Sequence, residues 1–291
     1  MSVLLELLVG ALKLGAIYSL AAIGFVVIHK ATKTVNFAHG AFIMLGAYGA
    51  FAVLEILKLP YGLAYLAVPP AVGIVAALVE WLLLRPLRRA DIFSVIMATV
   101  FLSVVIMEVV RISYQTELLS VPPVVGGVLW SGGSIVVTNE TAFICAGALA
   151  AVLAAIFVFE RLAIGRGMRA MASNYRGAQL CGYSVPATYA VAWFLGGTLA
   201  GLAGVFSAPA FGISPDLATA LIVPAFVAAV IGGFDSLRGV IAGGFMLAII
   251  ETLAAAYISS AAKSAASFVL VLAVLLIRPE GLFPEAARRD A

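Results

Sequence analysis

Nine stretches of this chain are apolar for long enough to cross a lipid bilayer, and that property removes most folds. A helix needs about 20 apolar residues to traverse the roughly 30 Å hydrocarbon core. Such runs lie at about 7–29, 36–57, 61–84, 92–114, 139–160, 188–208, 219–233, 239–258 and 262–278. They are apolar all round rather than alternating at period two, which excludes a transmembrane β-barrel. Charge agrees. Only 11% of the 291 residues are Asp, Glu, Lys or Arg and 64% are hydrophobic, against about 25% and 45–50% in soluble domains. So few charges cannot coat a water-soluble surface. The expectation is an all-α, polytopic integral membrane bundle of about eight or nine spans, some short or broken. It forms a single transmembrane domain over 1–291.

Basic residues orient such a bundle, because Lys and Arg collect on the cytoplasmic side. With the N-terminus outside and every run crossing, the inner side holds Lys30, Lys33, Arg85, Arg88, Arg89, Arg161, Arg166, Arg169, Arg176, Arg238, Arg278, Arg288 and Arg289, thirteen of the 17 basic residues. The outer side holds Lys58, Arg111 and Lys263, and Lys13 lies within the first span. The expected orientation is N-terminus outside, C-terminus inside. Residues 1–10 contain Glu6 but no Lys or Arg. The first run thus lacks the basic region of a cleaved signal peptide and reads as a retained span. Two connections are long. Residues 115–138, outside, are rich in Pro, Gly and Val and suggest a β-like or irregular excursion. Residues 161–187, inside, carry four arginines and no acid. From 166 to 180 they favour helix, with Gly182 as its stop. This loop is either a positive anchor or a docking surface for a cytoplasmic partner.

Two places interrupt the spans. The run 219–233 has 15 residues, only about 22 Å of helix. Within it Pro224 cannot donate to the carbonyl of Ala220, so a kink is expected. It ends in Gly232-Gly233-Phe234-Asp235-Ser236-Leu237-Arg238-Gly239. The second interruption is Thr34-Val35-Asn36-Phe37-Ala38-His39-Gly40. Short or interrupted apolar segments at comparable places in two halves are the sign of helices broken at a transport path. Asn36, His39, Gly40, Gly232 and Gly233 are therefore candidate pathway residues. Glu251 joins them, because charge in the middle of a span is costly. It is a pathway group, an ionic partner for a cation on another helix, or a neutral acid hydrogen-bonded to a neighbour. Lys13 either snorkels outward or touches substrate. Glu80, and Glu108 with Arg111 three residues on, read as structural. The GxxxG pairs Gly197–Gly201 and Gly239–Gly243 read as generic helix packing rather than a dimer seam.

Catalytic constellations are missing. The two histidines, His29 and His39, belong to no HExxH, and there is no CxxC, GxSxG or GxxxxGK[ST]. Cys145 and Cys181 are too few for a disulfide framework. The expectation is no enzyme, no metal and no cofactor bound by this chain. A net charge of +3 gives no case for a nucleic-acid partner.

Residues Asn36-Phe37-Ala38-His39-Gly40-Ala41-Phe42-Ile43-Met44-Leu45-Gly46-Ala47-Tyr48 closely resemble the signature of branched-chain amino-acid ABC transporter permeases. Gly165 to Ala170 is similar to the start of that family's cytoplasmic coupling loop, and Ala200 to Gly204 to its following helix. Ala225 to Gly233 and Gly239 to Glu251 resemble its paired late helices, and Arg278-Pro279-Glu280-Gly281-Leu282-Phe283 its C-terminal ending. The resemblance runs nearly end to end and is closest to the shorter of two partner permeases. It implies an importer subunit in the cytoplasmic (inner) membrane. A second permease, usually a different one, completes the path. Two cytoplasmic ATPase subunits bind ATP and Mg, and an extracytoplasmic binding protein delivers substrate. The loop 161–187 would then seat on the ATPase, with Arg166, Arg169, Arg176, Ala178 and Gly182 as candidate coupling residues. An importer EAA-x3-G pattern matches there only at Ala178 and Gly182. Many members also carry Lys at the position of Pro224 and Pro at that of Arg238. Related permeases handle urea and short amides, so a urea or amide permease is one alternative. An ATP-independent secondary transporter using embedded carboxylates is another.

Overall fold

The computed structural model describes residues 2–114, 118–132 and 135–283. Its helices follow the apolar runs: α1 (Ser2–Thr32), α2 (His39–Phe51), α3 (Tyr61–Val79), α4 (Ile92–Tyr114), α5 (Asn139–Arg161), α6 (Ala163–Ser173), α7 (Tyr175–Leu180), α8 (Val185–Phe211), α9 (Leu217–Gly232), α10 (Leu237–Tyr257) and α11 (Ala262–Ile277). α2 and α3 each continue through a π-helical turn, Ala52–Ile56 and Glu80–Leu84. Seven of these helices are long and apolar enough to cross a membrane. α9 and α11, at 16 residues each, are the shorter apolar pair. The chain is a polytopic helical membrane protein. Pro224 does not interrupt α9, which runs unbroken from Leu217 to Gly232.

Polar side chains start several helices. Asp91 accepts from Ser94 Oγ at 2.7 Å and Ser94 N at 3.1 Å just before α4. Those bonds hold its carboxyl below the usual carboxylate range. Thr138 caps α5 by accepting from Thr141 N, Asn174 caps α7 and Ser236 caps α10. The Asn174 cap corrects the expectation of one helix over 166–180: two helices meet there at an extended residue. Gly182 does end the second, at φ +84°. Outside, Val128–Gly132 (β1) and Ile135–Thr138 (β2) form an antiparallel hairpin. The 115–138 connection is therefore β-like, with Leu119 also bridging Ile213. Its residues 115–117 and 133–134 lie outside the described residues.

α1 and α8 form the centre. α8 packs on α1, α2 and α3, while α1 packs on α8, α10, α5 and α9. Small residues let these backbones approach. A Cβ at Gly204 would strike the carbonyl of Ile43 on α2, and one at Gly197 would strike Ala76 on α3. Gly243 sits equally tightly on Ala228 of α9. Both GxxxG pairs are thus used inside the chain. The first three turns of α2 are nearly all buried, whereas α4 exposes most of its length.

The basic residues gather at one end of the bundle. Lys30 donates to the carbonyl of Asp235, Lys33 pairs with that residue's carboxylate, and Arg238 pairs with Glu160. The C-terminal ending is strapped to the same end: Leu282 N donates to Ile231 O at 2.8 Å, and Gly281 packs against Gly233. At the opposite end Lys13 meets Glu140 at 3.4 Å, so its ammonium has an ionic partner there. Arg111 meets both Glu108 and Asp216.

Candidate functional site

The chain between α1 and α2 turns back into the bundle. Lys33, at φ +56°, ends α1, and residues 34–38 run inward without regular structure. Phe37 N donates to Thr99 Oγ1 on α4 at 3.2 Å. The His39 ring reaches the carbonyl of Ala21, 2.9 Å away. Ala21 lies about 16 Å back along α1 from its end. The first turn of α2 therefore starts deep within the bundle. Gly40 presses on Ala218 and Ile222 of α9, where any Cβ would overlap the Ala218 carbonyl. The positive end of one helix dipole thus lies in the protein interior rather than in water.

Two side chains here are only half satisfied. Asn36 is 2% exposed and His39 is 0% exposed. Asn36 Oδ1 accepts from Ala38 N at 3.0 Å, which closes the turn into α2. Its Nδ2 has no partner among the described residues. A carbonyl only accepts, so the His39 Nε2 facing Ala21 carries the proton in the neutral ring and Nδ1 is left as an acceptor. Nδ1 also lacks a partner among the described residues. Leaving such groups unpaired costs about 1–3 kcal/mol each. The helix start thus offers an unused donor, an unused acceptor and a positive dipole end. A small zwitterion has a use for all three.

Aromatic rings close the space between this point and the basic end. Phe25 meets the His39 ring edge-on at 5.7 Å and Phe226 at 6.0 Å. Phe234 meets both Phe25 and Phe226 at 5.9 Å, and Phe37 meets Phe226 at 6.3 Å. Beyond them, at the basic end, lies a cavity of about 300 Å³ bounded by Thr32, Thr34, Glu80, Arg88, Tyr175 and Trp193 among others. Glu80 is buried there on Arg88, whose guanidinium lies over the Tyr189 ring. Nothing in the pattern of runs marked these aromatics as a cluster, although Phe37 and Phe234 sit in the two interrupted stretches singled out by sequence.

The six candidate pathway residues occupy three places. Asn36, His39 and Gly40 share the start of α2. Gly232 and Gly233 lie about 15 Å away at the basic end of α9, where Gly232 packs on Gly239 and Gly233, at φ +92°, ends the helix against the C-terminal strap. Glu251 is 2% exposed between α1, α10 and α11. It accepts from Tyr18 Oη at 2.7 Å and from Ser267 Oγ, and Lys263 Nζ is 3.6 Å away. Both carboxylate oxygens are therefore occupied by side chains of other helices.

The candidate coupling residues also separate. Arg166 and Arg176 are exposed. Arg169 instead donates to the carbonyl of Phe159 and stacks over that ring, and Ala178 is buried with Met171 and Val185. Residues the sequence reading passed over are the most prominent here: Leu180 is 90% exposed and Tyr175 is 46% exposed. An apolar Leu closing an arginine-bearing helix was the available signal.

Residues 7–278 match the protein family described as branched-chain amino acid transport system / permease component. Relatives agree in length as well as sequence. The high-affinity branched-chain amino acid transport system permease protein LivH of Escherichia coli K12 is 29% identical over 96% of this chain and 94% of its own. The corresponding BraD protein of Pseudomonas aeruginosa is 28% identical over 96% and 95%. A probable branched-chain amino acid transport permease protein LivH of Methanocaldococcus jannaschii is 28% identical over 95% and 91%. No solved structure matches the chain.

Proposed function

Because the chain belongs to the family of branched-chain amino acid transport system permease components, we propose that it is the membrane-spanning subunit of an ABC importer for leucine, isoleucine or valine. The observation that carries the reading is the start of α2, where Asn36 and His39 hold an unused donor and acceptor deep in the bundle. The amide would bind the substrate carboxylate, with the helix dipole behind it, and His39 Nδ1 the ammonium. Entry requires α2 and α9 to part at Gly40, since both groups are occluded as the helices now pack. The basic end faces the cytoplasm of a bacterial-type inner membrane, by the positive-inside rule. A second permease, a binding protein outside and two ATPase subunits carrying ATP and Mg complete the assembly. This chain contributes transport rather than catalysis. Glu251 does not favour a proton-coupled carrier, because its oxygens already serve Tyr18, Ser267 and Lys263.

Uptake of labelled leucine into proteoliposomes holding the whole assembly tests the reading. ATP and binding protein should both be required, and unlabelled leucine, not urea, should compete. Uptake driven by a proton gradient without ATP would overturn it.

Two variants probe the path. Phe226→Ala removes the ring that touches Phe25, Phe37 and Phe234. A leucine leak that needs no ATP is expected, measured as efflux from preloaded vesicles. If efflux stays at the unmodified level, the aromatic cluster is not a barrier. Leu180→Asp puts a charge on the most exposed apolar side chain of α7. ATPase activity should lose its stimulation by loaded binding protein, while the isolated permease melts unchanged. Wild-type stimulation would remove α7 from the coupling surface.

A further inference from the structure

We propose that the cavity at the basic end of α3 is a second amino-acid site, which binds the imported amino acid from inside and slows further import. Which ligand meets it, and from which side, rests on the transport reading above. The cavity, about 300 Å³, lies beyond the aromatic cluster, and none of Asn36, His39 or Gly40 lines it. Its charged walls are Lys33, Glu80 and Arg88, and Leu84, Ile92, Val95 and Trp193 form an apolar wall. Glu80 opens the π-helical turn that continues α3, a distortion frequent at functional sites. Its side chain is 3% exposed and accepts from Arg88. An ionised carboxylate can accept on both oxygens, yet Arg88 is the one hydrogen-bond donor Glu80 meets among the described residues. The Arg88 guanidinium is held 4.8 Å over the Tyr189 ring, and its Nε has no partner among the described residues. Lys33 meets the Asp235 carboxylate at 3.3 Å, an exposed pair that is cheap to break.

With Lys33 offset by Asp235 and Arg88 by Glu80, the cavity has separated charges but little net charge. That balance disfavours a phosphate or a polyamine and suits a zwitterion. The ligand ammonium would take the second oxygen of Glu80, and its carboxylate Lys33 and Arg88. An apolar side chain would then lie against Ile92, Val95 and Trp193. The volume stands at the bottom of the small-molecule range of about 300–1,000 Å³, room for one amino acid rather than a peptide or nucleotide. Tyr175 connects the cavity to energy coupling. It lines the same space from α7, and α7 otherwise packs chiefly on α6. α7 belongs to the segment 161–187 that the transport reading seats on the ATPase. A ligand held between Tyr175 and the walls from α3, α4 and α8 ties α7 to the bundle at a second point. Each coupling movement of α7 would then have to break those contacts. Amino acid accumulating inside thereby opposes its own import.

The whole assembly in proteoliposomes, with ATP and Mg enclosed, is given binding protein and labelled leucine outside. Unlabelled leucine, glutamate or neither is enclosed with the ATP. Enclosed leucine should lower the initial rates of both uptake and ATP hydrolysis. Enclosed glutamate should not, because its second carboxylate meets an apolar wall and Glu80. Lys33→Gln should raise the half-inhibiting leucine concentration about tenfold, the worth of one charged hydrogen bond, with uptake into unloaded vesicles unchanged. The Lys33 side chain is 51% exposed, so folding is not at stake. Glu80→Gln should abolish the inhibition. Equal rates at every leucine loading, glutamate inhibiting as strongly as leucine, or inhibition unchanged in both variants would overturn the site, while ATP-dependent uptake into unloaded vesicles would still uphold the transport reading. No uptake into unloaded vesicles would overturn that reading instead, and the cavity is then judged by labelled leucine retained on the assembly. Retention weakened by both variants supports the site, and retention weakened by neither overturns it.

Discussion

Gly204→Val is expected to leave almost no monodisperse protein after extraction. A Cβ there would overlap the carbonyl of Ile43 and come within 2.8 Å of Ala47 N and 2.9 Å of Gly46 Cα. Overfilling a core whose side chains can turn aside costs about 1–3 kcal/mol. These obstacles are backbone of α2, so the whole helix must shift. It is also held by Gly46 on Gly201 and Gly40 on Ala218. A cost above about 3 kcal/mol follows, a large part of a typical 5–15 kcal/mol total. Gly62→Val is the control, since nothing lies within 4 Å of a Cβ there. Size-exclusion profiles and thermal melting would separate the two. If position 204 tolerates valine as well as position 62 does, α2 and α8 do not meet in this way.

Asn36→Ala combined with His39→Ala should cut leucine uptake a hundredfold or more while the protein remains folded. Each replacement removes a hydrogen bond to a charged substrate group, worth about 1.5–3 kcal/mol. Two such losses in the step that carries substrate past α2 amount to about two orders of magnitude or more in rate. Stability should also fall, by about 1 kcal/mol for each bond lost, because alanine removes the Asn36 Oδ1 bond to Ala38 N and the His39 bond to the Ala21 carbonyl; uptake is therefore counted per folded molecule. Glu251→Ala should spare uptake. It strips Tyr18 and Ser267 of their acceptor and leaves the half-exposed Lys263 without its anion, at about 2 kcal/mol. Melting should drop while residual uptake per folded molecule is largely kept. Undiminished uptake in the double variant would remove the α2 start from the path. Lost uptake at unchanged melting in Glu251→Ala would return that residue to it.

The spans were legible because a bilayer demands long apolar runs, and run length is a local property. The break at 34–40 was legible for the same reason, as a polar turn inside such a run. What Glu251 does was not, because one of its partners, Tyr18, lies 233 positions away and no periodicity links the two. Lys13 likewise finds Glu140 across 127 positions. Arg169 and Arg176 look alike in sequence, yet one donates to the Phe159 carbonyl and the other is exposed on the surface. Their difference arises from how α6 docks on α5, which is tertiary. The split at Asn174 was readable in principle, since Asn is a preferred helix cap.

α1 is made first, yet α8 and α10, made late, supply much of its packing. At a ribosomal rate of about 5–20 residues per second, the roughly 200 residues between them take about 10–40 s to emerge. During that interval Ser19 lacks the Ile241 carbonyl it later bonds and Tyr18 lacks Glu251. The nascent chain must therefore stay sheltered at the insertion machinery until its last third is made. A ribosome stalled before α10 would leave an N-terminal fragment open to membrane proteases.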